Sequence, residues 1–414
     1  MVTILFTDGI YLCKNTKKDI QKHQSLKLKN LSDYEKFINS IEVSSPKDTS
    51  GSHDIANKWS MYRWAEYLDV NTSEIEKIRD EISSILYFKY LRAKFPIKRS
   101  LFAKHKREIQ GKGKILYIDD KWEKGWKSIF EHLSLENQDY SLETVEEVYK
   151  DKTREEVITF VMEKVKSVDP DVVILDMRLH KDDFLDNVGL SDFTGIQIFN
   201  QIKEINPGIQ VIIFTASSNS LLLDELYSYG SSILGYVKKE HPKNYNLTTQ
   251  GNINKLIRLI NEGFERKYLK EIWEIQQKIL QLNIVQKLSN DYLVSIKTHV
   301  ESSFYILDSN LEKKIDLAVL AFYNIIEFII KYYGGSHGSG YSQISDICKK
   351  SLEIDGLDII LSKIICTRNY IAHGKDEKEI QYFCKKSTIK NPNSDNILEW
   401  FKALETILKR MQIF

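Results

Sequence analysis

No Cys-x-x-Cys pair occurs among the four cysteines, and none has the spacing of a zinc site. Cys13, Cys348, Cys366 and Cys384 are scattered, as expected for reduced thiols in a cytosol. An excess of one charge is also missing. Lys+Arg 59 against Asp+Glu 58 leaves +1, so no global basic field draws the chain to nucleic acid or membrane. Any nucleic-acid contact must come from a local site. Long apolar runs are lacking too: the most apolar segment, Leu317 to Ile330, is broken by Asn324 and Glu327, and no membrane span is expected. The opening MVTILFTDGIYL has no basic leader and carries Asp8 inside its apolar residues, so it is not expected to be a signal peptide. Repeats and low-complexity tracts do not stand out. These absences point to a cytoplasmic globular protein, and 414 residues are too many for one ordinary core.

What is present falls into four textures. Residues 1–110 are mixed α/β: a strand-like TILFTD, a polar stretch SSPKDTSGSHD, then helical patterns through IANKWSMYRWAEYL and SEIEKIRDEISSILYFKYLRAKF. The glycines of EIQGKGK mark a linker. Residues 113–262 alternate short apolar runs (ILYI, VVIL, VIIF, LGYV) with amphipathic stretches such as GIQIFNQIKE. That alternation implies a doubly wound parallel sheet covered on both faces. Residues 263–300 are helical, reading either as a connector or as a dimerising coil, without a strict heptad. Residues 301–414 read as an all-α helical bundle interrupted by GGSHGSG, whose His337 reads as a solvated loop residue. The fold class is therefore α/β plus all-α.

The sheet region carries a chemical pattern at its strand ends. Asp119 and Asp120 follow ILYI, Asp176 follows VVIL, Thr215 follows VIIF, and Lys239 follows GYVK. Residues just past the carboxyl ends of parallel strands gather at one edge, where ligands bind. Hard carboxylate oxygens suit Mg²⁺. A carboxylate can also be a nucleophile toward phosphorus, with a hydroxyl and an ammonium holding the phosphoryl oxygens.

Five such positions in this chain order resemble the receiver domain of two-component response regulators. The resemblance implies Asp176 as phospho-acceptor. It implies Asp119, Asp120, Asp176 and the backbone carbonyl of Arg178 as Mg²⁺ ligands. Thr215, Tyr236 and Lys239 would be the phosphoryl-binding and switch residues, and a histidine kinase or other phosphodonor the partner. Two departures stand out. The residue after the lysine is Glu240, where receivers usually carry proline, which leaves Lys238 or Lys239 as the inward lysine; spacing from Tyr236 favours Lys239. The loop HKDDFLDNVGLSDFT is long and acidic, and reads either as a solvated insertion or as an element that docks a partner or shapes access to the site.

The segment CTRNYIAHG poses a separate question. Arg368 and His373 lie five apart, close enough on a helix to face one cleft, with Asn369 directly after the arginine. One reading is a helix end with an imidazole placed against the dipole. The other is ribonuclease chemistry. RNA carries its own 2′-hydroxyl nucleophile, histidine can move a proton near neutral pH, and arginine can hold the phosphorane oxygens. The apolar helix DLAVLAFYNIIEFIIKYY precedes the segment. This set resembles the Rx4–6H motif of HEPN domains, over roughly residues 301–414. The resemblance implies metal-independent RNA cleavage by Arg368, Asn369 and His373, in a site completed by a homodimer. A non-catalytic adaptor whose HEPN domain binds a protein or nucleotide is the alternative. Residues 301–414 carry 15 Lys+Arg and 15 Asp+Glu, so broad phosphate neutralisation is not the basis of any RNA binding. The combined expectation is a phosphorylation-controlled HEPN ribonuclease, a pairing that suits stress response or anti-phage defence.

Two weaker signals remain. In SHDIANKWSMYRWAEYL, Trp59, Tyr62 and Trp64 read as core aromatics, whereas His53, Asp54 and Arg63 could form a recognition surface. TILFTD faintly resembles a receiver's first strand without its acidic pair, as in a degenerate receiver-like domain.

Overall fold

The structure is a computed structural model. It describes residues 32, 43, 51–97, 109–134, 139–147, 149, 151–185, 188–216, 232–242, 248–286, 290–332, 357–373 and 388–411. TILFTD, GGSHGSG with His337, and Cys13, Cys348 and Cys384 lie outside the described residues. The chain divides into two compact units: residues 1–200 with 211–264, and residues 201–210 with 265–414.

The first unit opens with three helices, α1 (Gly51–Leu68), α2 (Ser73–Ser84) and α3 (Leu86–Lys94). The end of the expected polar stretch, GSHD, is the first turn of α1. Thr72 caps α2 by accepting from the Ile75 amide, and Ile75, Ile78 and Ile82 form its buried stripe.

A parallel sheet follows, with β1 (Gly113–Ile118), β2 (Tyr140–Thr144), β3 (Val172–Leu175), β4 (Gln210–Thr215) and β5 (Gly235–Lys238) in the order β2-β1-β3-β4-β5. Ile115 stands opposite Val172 in β3 and opposite Leu142 in β2. β3 and β4 are buried along their whole length, which is why they read as continuous apolar runs. β2, at the edge, alternates buried and open residues; its sequence YSLET has no apolar run and was not among the expected strands. Helices α4 (Trp126–Ser134), α5 (Arg154–Val168), α6 (Thr194–Ile205) and α7 (Thr249–Glu265) alternate with the strands. A capping box between Thr153 and Glu156 starts α5.

Helices α1–α3 and the sheet share one hydrophobic core. Trp59, Trp64 and Phe88 from the helices cluster with Tyr117, Trp126 and Phe214. Trp64 meets Trp126 and Phe214 edge-on, with ring centroids 5.5 and 5.7 Å apart.

The second unit is helical, containing α8 (Tyr268–Gln281), α9 (Asn283–Gln286), α10 (Asn290–Asp308), α11 (Lys314–Tyr332), α12 (Leu357–His373) and α13 (Ser394–Met411). Ile272, Ile275 and Ile279 of α8 join Phe304, Phe322, Ile364, Trp400 and Phe401 in its core. The apolar face of α8 is thus used within this unit. Cys366 is buried and disulfide-bonded, which corrects the expectation of a free thiol there. Among the described residues, no helix is long and apolar enough to cross a membrane.

Candidate functional site

The order β2-β1-β3-β4-β5 reverses direction between β1 and β3, and the crevice past those strand ends is where a doubly wound sheet offers a ligand site. Asp119 and Asp120 follow β1, and Asp176 follows β3, held there by its amide donating to the Ile118 carbonyl at 2.9 Å. One oxygen from each of these three carboxylates lies within 4.8 Å of the others. Lys239 follows β5, and its amide donates to the Thr215 carbonyl at 2.7 Å. Its Nζ donates to Asp119 Oδ2 and Asp176 Oδ2, both at 2.7 Å. The lysine inside the cluster is therefore Lys239; the Lys238 carbonyl instead accepts from Asn252 Nδ2 at 3.1 Å.

The cluster is dry. Asp119 and Asp176 are 0% exposed and Lys239 2%. Burial opposes the charge on Lys239, yet the Asp119 and Asp176 carboxylates outweigh it and hold the ammonium above the ordinary lysine range. Burial, then the negative charge of Asp119, pushes Asp120 up to about 7. Asp120 Oδ1 is buried and has no hydrogen-bond partner among the described residues. Tyr117 donates its hydroxyl to Asp119 Oδ2 at 2.8 Å. Three oxygen donors, one of them unsatisfied, fit a hard divalent cation.

The other expected positions surround this cluster. The Arg178 amide approaches Asp176 Oδ1 at 3.4 Å, and the Arg178 guanidinium lies over the Phe193 ring at 4.7 Å. Thr215 is buried at the end of β4. Tyr236, on β5, has Lys255 Nζ 4.1 Å above its ring. Gly195, in the first turn of α6, lies beside the end of β3. A Cβ there would fall 2.1 Å from the Asp176 carbonyl oxygen, so only glycine fits.

The long acidic loop is pinned from inside. Asp183 is fully buried and accepts from the Leu179, His180 and Thr194 amides and the Thr194 hydroxyl, while pairing with Arg154 at 3.0 Å. Phe184, from the same loop, lines the mouth of a cavity of about 740 Å³ together with Asp120, Lys121 and Trp122.

Helix α1 supplies the other wall, which sequence reasoning did not place there. His53 and Asp54 line this cavity and are 8% and 9% exposed, so they face an internal cleft rather than the open surface. The His53 ring meets Phe184 edge-on at 4.9 Å. Burial, reinforced by the Lys239 charge, pushes the His53 imidazole down to about 3, so it is neutral at pH 7. Further along α1, Ser60 Oγ donates to the Glu240 carbonyl at 3.1 Å. Arg63 Nε pairs with Glu240 Oε2 at 2.7 Å. Glu240 thus anchors α1 one residue past Lys239 through its carbonyl and its carboxylate, and a proline there would supply only the first. The one available signal was the departure at Glu240 itself.

In the helical unit, Arg368, Asn369 and His373 lie together near the end of α12. Arg368 Nη1 contacts Asn369 Oδ1 at 2.9 Å and His373 Nε2 at 3.4 Å. The guanidinium stacks 4.6 Å from the Tyr323 ring of α11. His373 is exposed and ends the helix; Gly374 lies outside the described residues.

No family model matches the chain. No curated protein matches it either. Among solved structures, a two-component response regulator of the LuxR family from Aurantimonas sp. SI85-9A1 is similar at 16% identity, covering 36% of this chain and 86% of that one, with a TM-score of 0.25. At that score the similarity adds no weight to the site, whose chemistry stands on its own geometry.

Proposed function

We propose that the first unit is a receiver-type phosphorylation switch and the second a HEPN-type ribonuclease effector under its control. The observation that carries the switch is the buried Asp119–Lys239–Asp176 bridge, with the unsatisfied oxygen of Asp120 beside it. In this reading Asp176 attacks the phosphorus of a histidine-kinase phosphohistidine or a small phosphodonor. The new bond is Asp176 O–P, and the electron pair of the broken bond leaves with the donor. Asp119, Asp120, Asp176 and the Arg178 carbonyl would hold Mg²⁺, which supplies charge neutralisation at the phosphoryl oxygens. Lys239 exchanges its bond to Asp176 for one to a phosphoryl oxygen, and Thr215 holds another.

The effector reading rests on the Arg368–His373 contact. An arginine N–H directed at Nε2 marks that nitrogen as the acceptor, and once Arg368 turns to the phosphate the freed lone pair can take the proton of an RNA 2′-hydroxyl. Attack of the 2′-oxygen on phosphorus then breaks the P–O5′ bond, the 5′-oxygen leaving with the electron pair and taking the proton held by the His373 imidazolium, while Arg368 stabilises the phosphorane charge. A homodimer would pair two such motifs. Chain continuity supports coupling between the two activities. Thr249 and Asn252, at the start of α7, bond Glu240 and Lys238 at the end of β5, and α7 runs within two residues of α8.

Intact mass after acetyl phosphate and Mg²⁺ tests the switch: wild type gains one phosphoryl group and Asp176→Asn does not, and equal labelling would exclude Asp176. Cleavage of RNA in EDTA, lost in His373→Ala, tests the effector. A chain that binds partners but cuts no RNA under any condition would be the adaptor instead.

A further inference from the structure

Helix α1 carries a histidine whose free nitrogen can be identified from its neighbours. Trp126 Nε1 donates to Asn57 Oδ1 at 3.2 Å. An indole nitrogen only donates, so the oxygen of the Asn57 amide must face it. The amide nitrogen therefore faces His53, and Asn57 Nδ2 lies 3.1 Å from His53 Nδ1 and 3.2 Å from the His53 carbonyl. An amide nitrogen also only donates, which makes His53 Nδ1 the acceptor. The proton of the neutral ring is then on Nε2.

That Nε2–H is buried, with no partner among the described residues, and His53 lines the same cavity as Asp120. Three unsatisfied atoms, the Nε2–H donor of His53, the Tyr149 hydroxyl and the Oδ1 acceptor of Asp120, thus belong to residues lining one cavity beside the acidic cluster. Leaving a buried donor unpaired is costly, and such groups are retained where a ligand satisfies them. Phe184 packs edge-on to the imidazole and limits where the ring can turn. The cavity, about 740 Å³, touches the acidic cluster through Asp120, and an N–H donor from a residue that lines it suits an anionic oxygen.

We propose that His53 is a ligand of the phosphoryl group carried by Asp176, donating Nε2–H to a phosphoryl oxygen, so that helix α1 senses the phosphorylation state directly. The proposal rests on the assignment of Asp176 as phospho-acceptor. It adds a donor from outside the sheet to those contributed by the strand ends. The Trp126–Asn57–His53 chain is the device that fixes the tautomer.

Beryllofluoride with Mg²⁺ is the probe, titrated calorimetrically into wild type, Asp176→Asn, His53→Ala and His53→Gln, with bound-state fluorine NMR on each. Loss of one hydrogen bond to a charged group predicts affinity about 10- to 100-fold weaker in His53→Ala. A glutamine amide can place an N–H near the position of Nε2, so His53→Gln is expected to recover to within about threefold of wild type. Mg²⁺ alone binds all His53 variants equally, because a cation does not use an N–H donor. One fluorine resonance shifts in His53→Ala and returns toward its place in His53→Gln. If wild type binds beryllofluoride and His53→Ala binds as tightly, His53 is no ligand while the acceptor assignment stands. If both His53 variants lose affinity alike, in step with their melting temperatures, the role is structural and the proposal is wrong. If wild type itself binds nothing, the acceptor assignment falls, and this inference with it.

Discussion

Replacing Lys239 with methionine would test whether the buried cluster is held by charge or merely filled. The lysine stem lies between aromatic rings, with Nζ 5.6 Å from Trp126 and 5.0 Å from Phe214, so methionine keeps most of the packing. What it removes is the cation bridging two fully buried carboxylates at 2.7 Å each. Taking one partner from a buried ion pair costs about 3–5 kcal/mol. The deficit should depend on pH in a definite sense. Burial and the Asp119 charge already push Asp120 up to about 7, so the folded state binds more protons than the unfolded one between roughly pH 4 and 7. Without Lys239 the repulsion grows and that excess with it. Stability of Lys239→Met therefore falls more steeply than wild type as pH rises through this window, and the deficit at pH 8 exceeds that at pH 5. Millimolar Mg²⁺ should shrink it by supplying the missing positive charge. Urea denaturation followed by tryptophan fluorescence reads the effect, because Trp59, Trp64, Trp122 and Trp126 belong to this unit. A deficit unchanged by pH and by Mg²⁺ would refute the reasoning and leave Lys239 a packing residue.

Gly195→Ala should destabilise the sheet unit and abolish acetyl-phosphate labelling, because its Cβ would collide with the Asp176 carbonyl at 2.1 Å and displace the acceptor strand; normal labelling would show that the strand end can yield. Arg63→Ala should cost about 3 kcal/mol by leaving the Glu240 carboxylate buried without its cation. Burial pushes Glu240 up to about 7, against the pull of Arg63, so this acid already favours folding less as pH rises from about 4.5 to 7. Without Arg63 the carboxyl is pushed higher still, so the variant's loss in thermal melts should continue above pH 7 where that of wild type levels off, and a parallel pH profile would count against the pair.

The parts of the fold that were legible are those where burial leaves one chemical option. β3 and β4 are covered on both faces and so consist of VVIL and QVIIFT. Carboxylates placed directly after such runs can be located at a sheet edge from chain order alone. The edge strand β2 was not legible, because Tyr140 and Leu142 alternate with Ser141 and Glu143 as any exposed loop might. Helix α1 was legible as a helix but not as a wall of the site. Its buried residues include His53, Asp54, Asn57 and Ser60 as well as Ile55, Trp59 and Trp64, so no apolar stripe marks which side faces the sheet. Spacing from Tyr236 already favoured Lys239 over Lys238, and Lys239 is the lysine bonded to Asp119 and Asp176.

His53, Asn57, Ser60 and Trp64 fall at i, i+4, i+7 and i+11, one face of α1. Each makes a contact that bears on the acidic cluster. His53 lines its cavity, Asn57 orders His53 through Trp126, Ser60 holds the carbonyl after Lys239, and Trp64 packs on the two rings that flank the Lys239 ammonium. Arg63, beside this face, grips Glu240. Polar groups buried in this way oppose folding unless they are satisfied, and the pattern is explained if α1 exists to read the site. A phosphoryl group that draws Lys239 away from Asp176 would move the backbone that Ser60 and Arg63 hold, and would satisfy His53 at the opposite end of the same face. The two arrangements would differ in hydrogen bonds at both ends of one rigid helix, and such a difference is what lets a modification shift an equilibrium. Glutamate at position 240 is then a consequence rather than an oddity: a proline there would keep the carbonyl that Ser60 bonds but offer Arg63 no carboxylate, and α1 would lose its ion pair to the residue that follows the lysine.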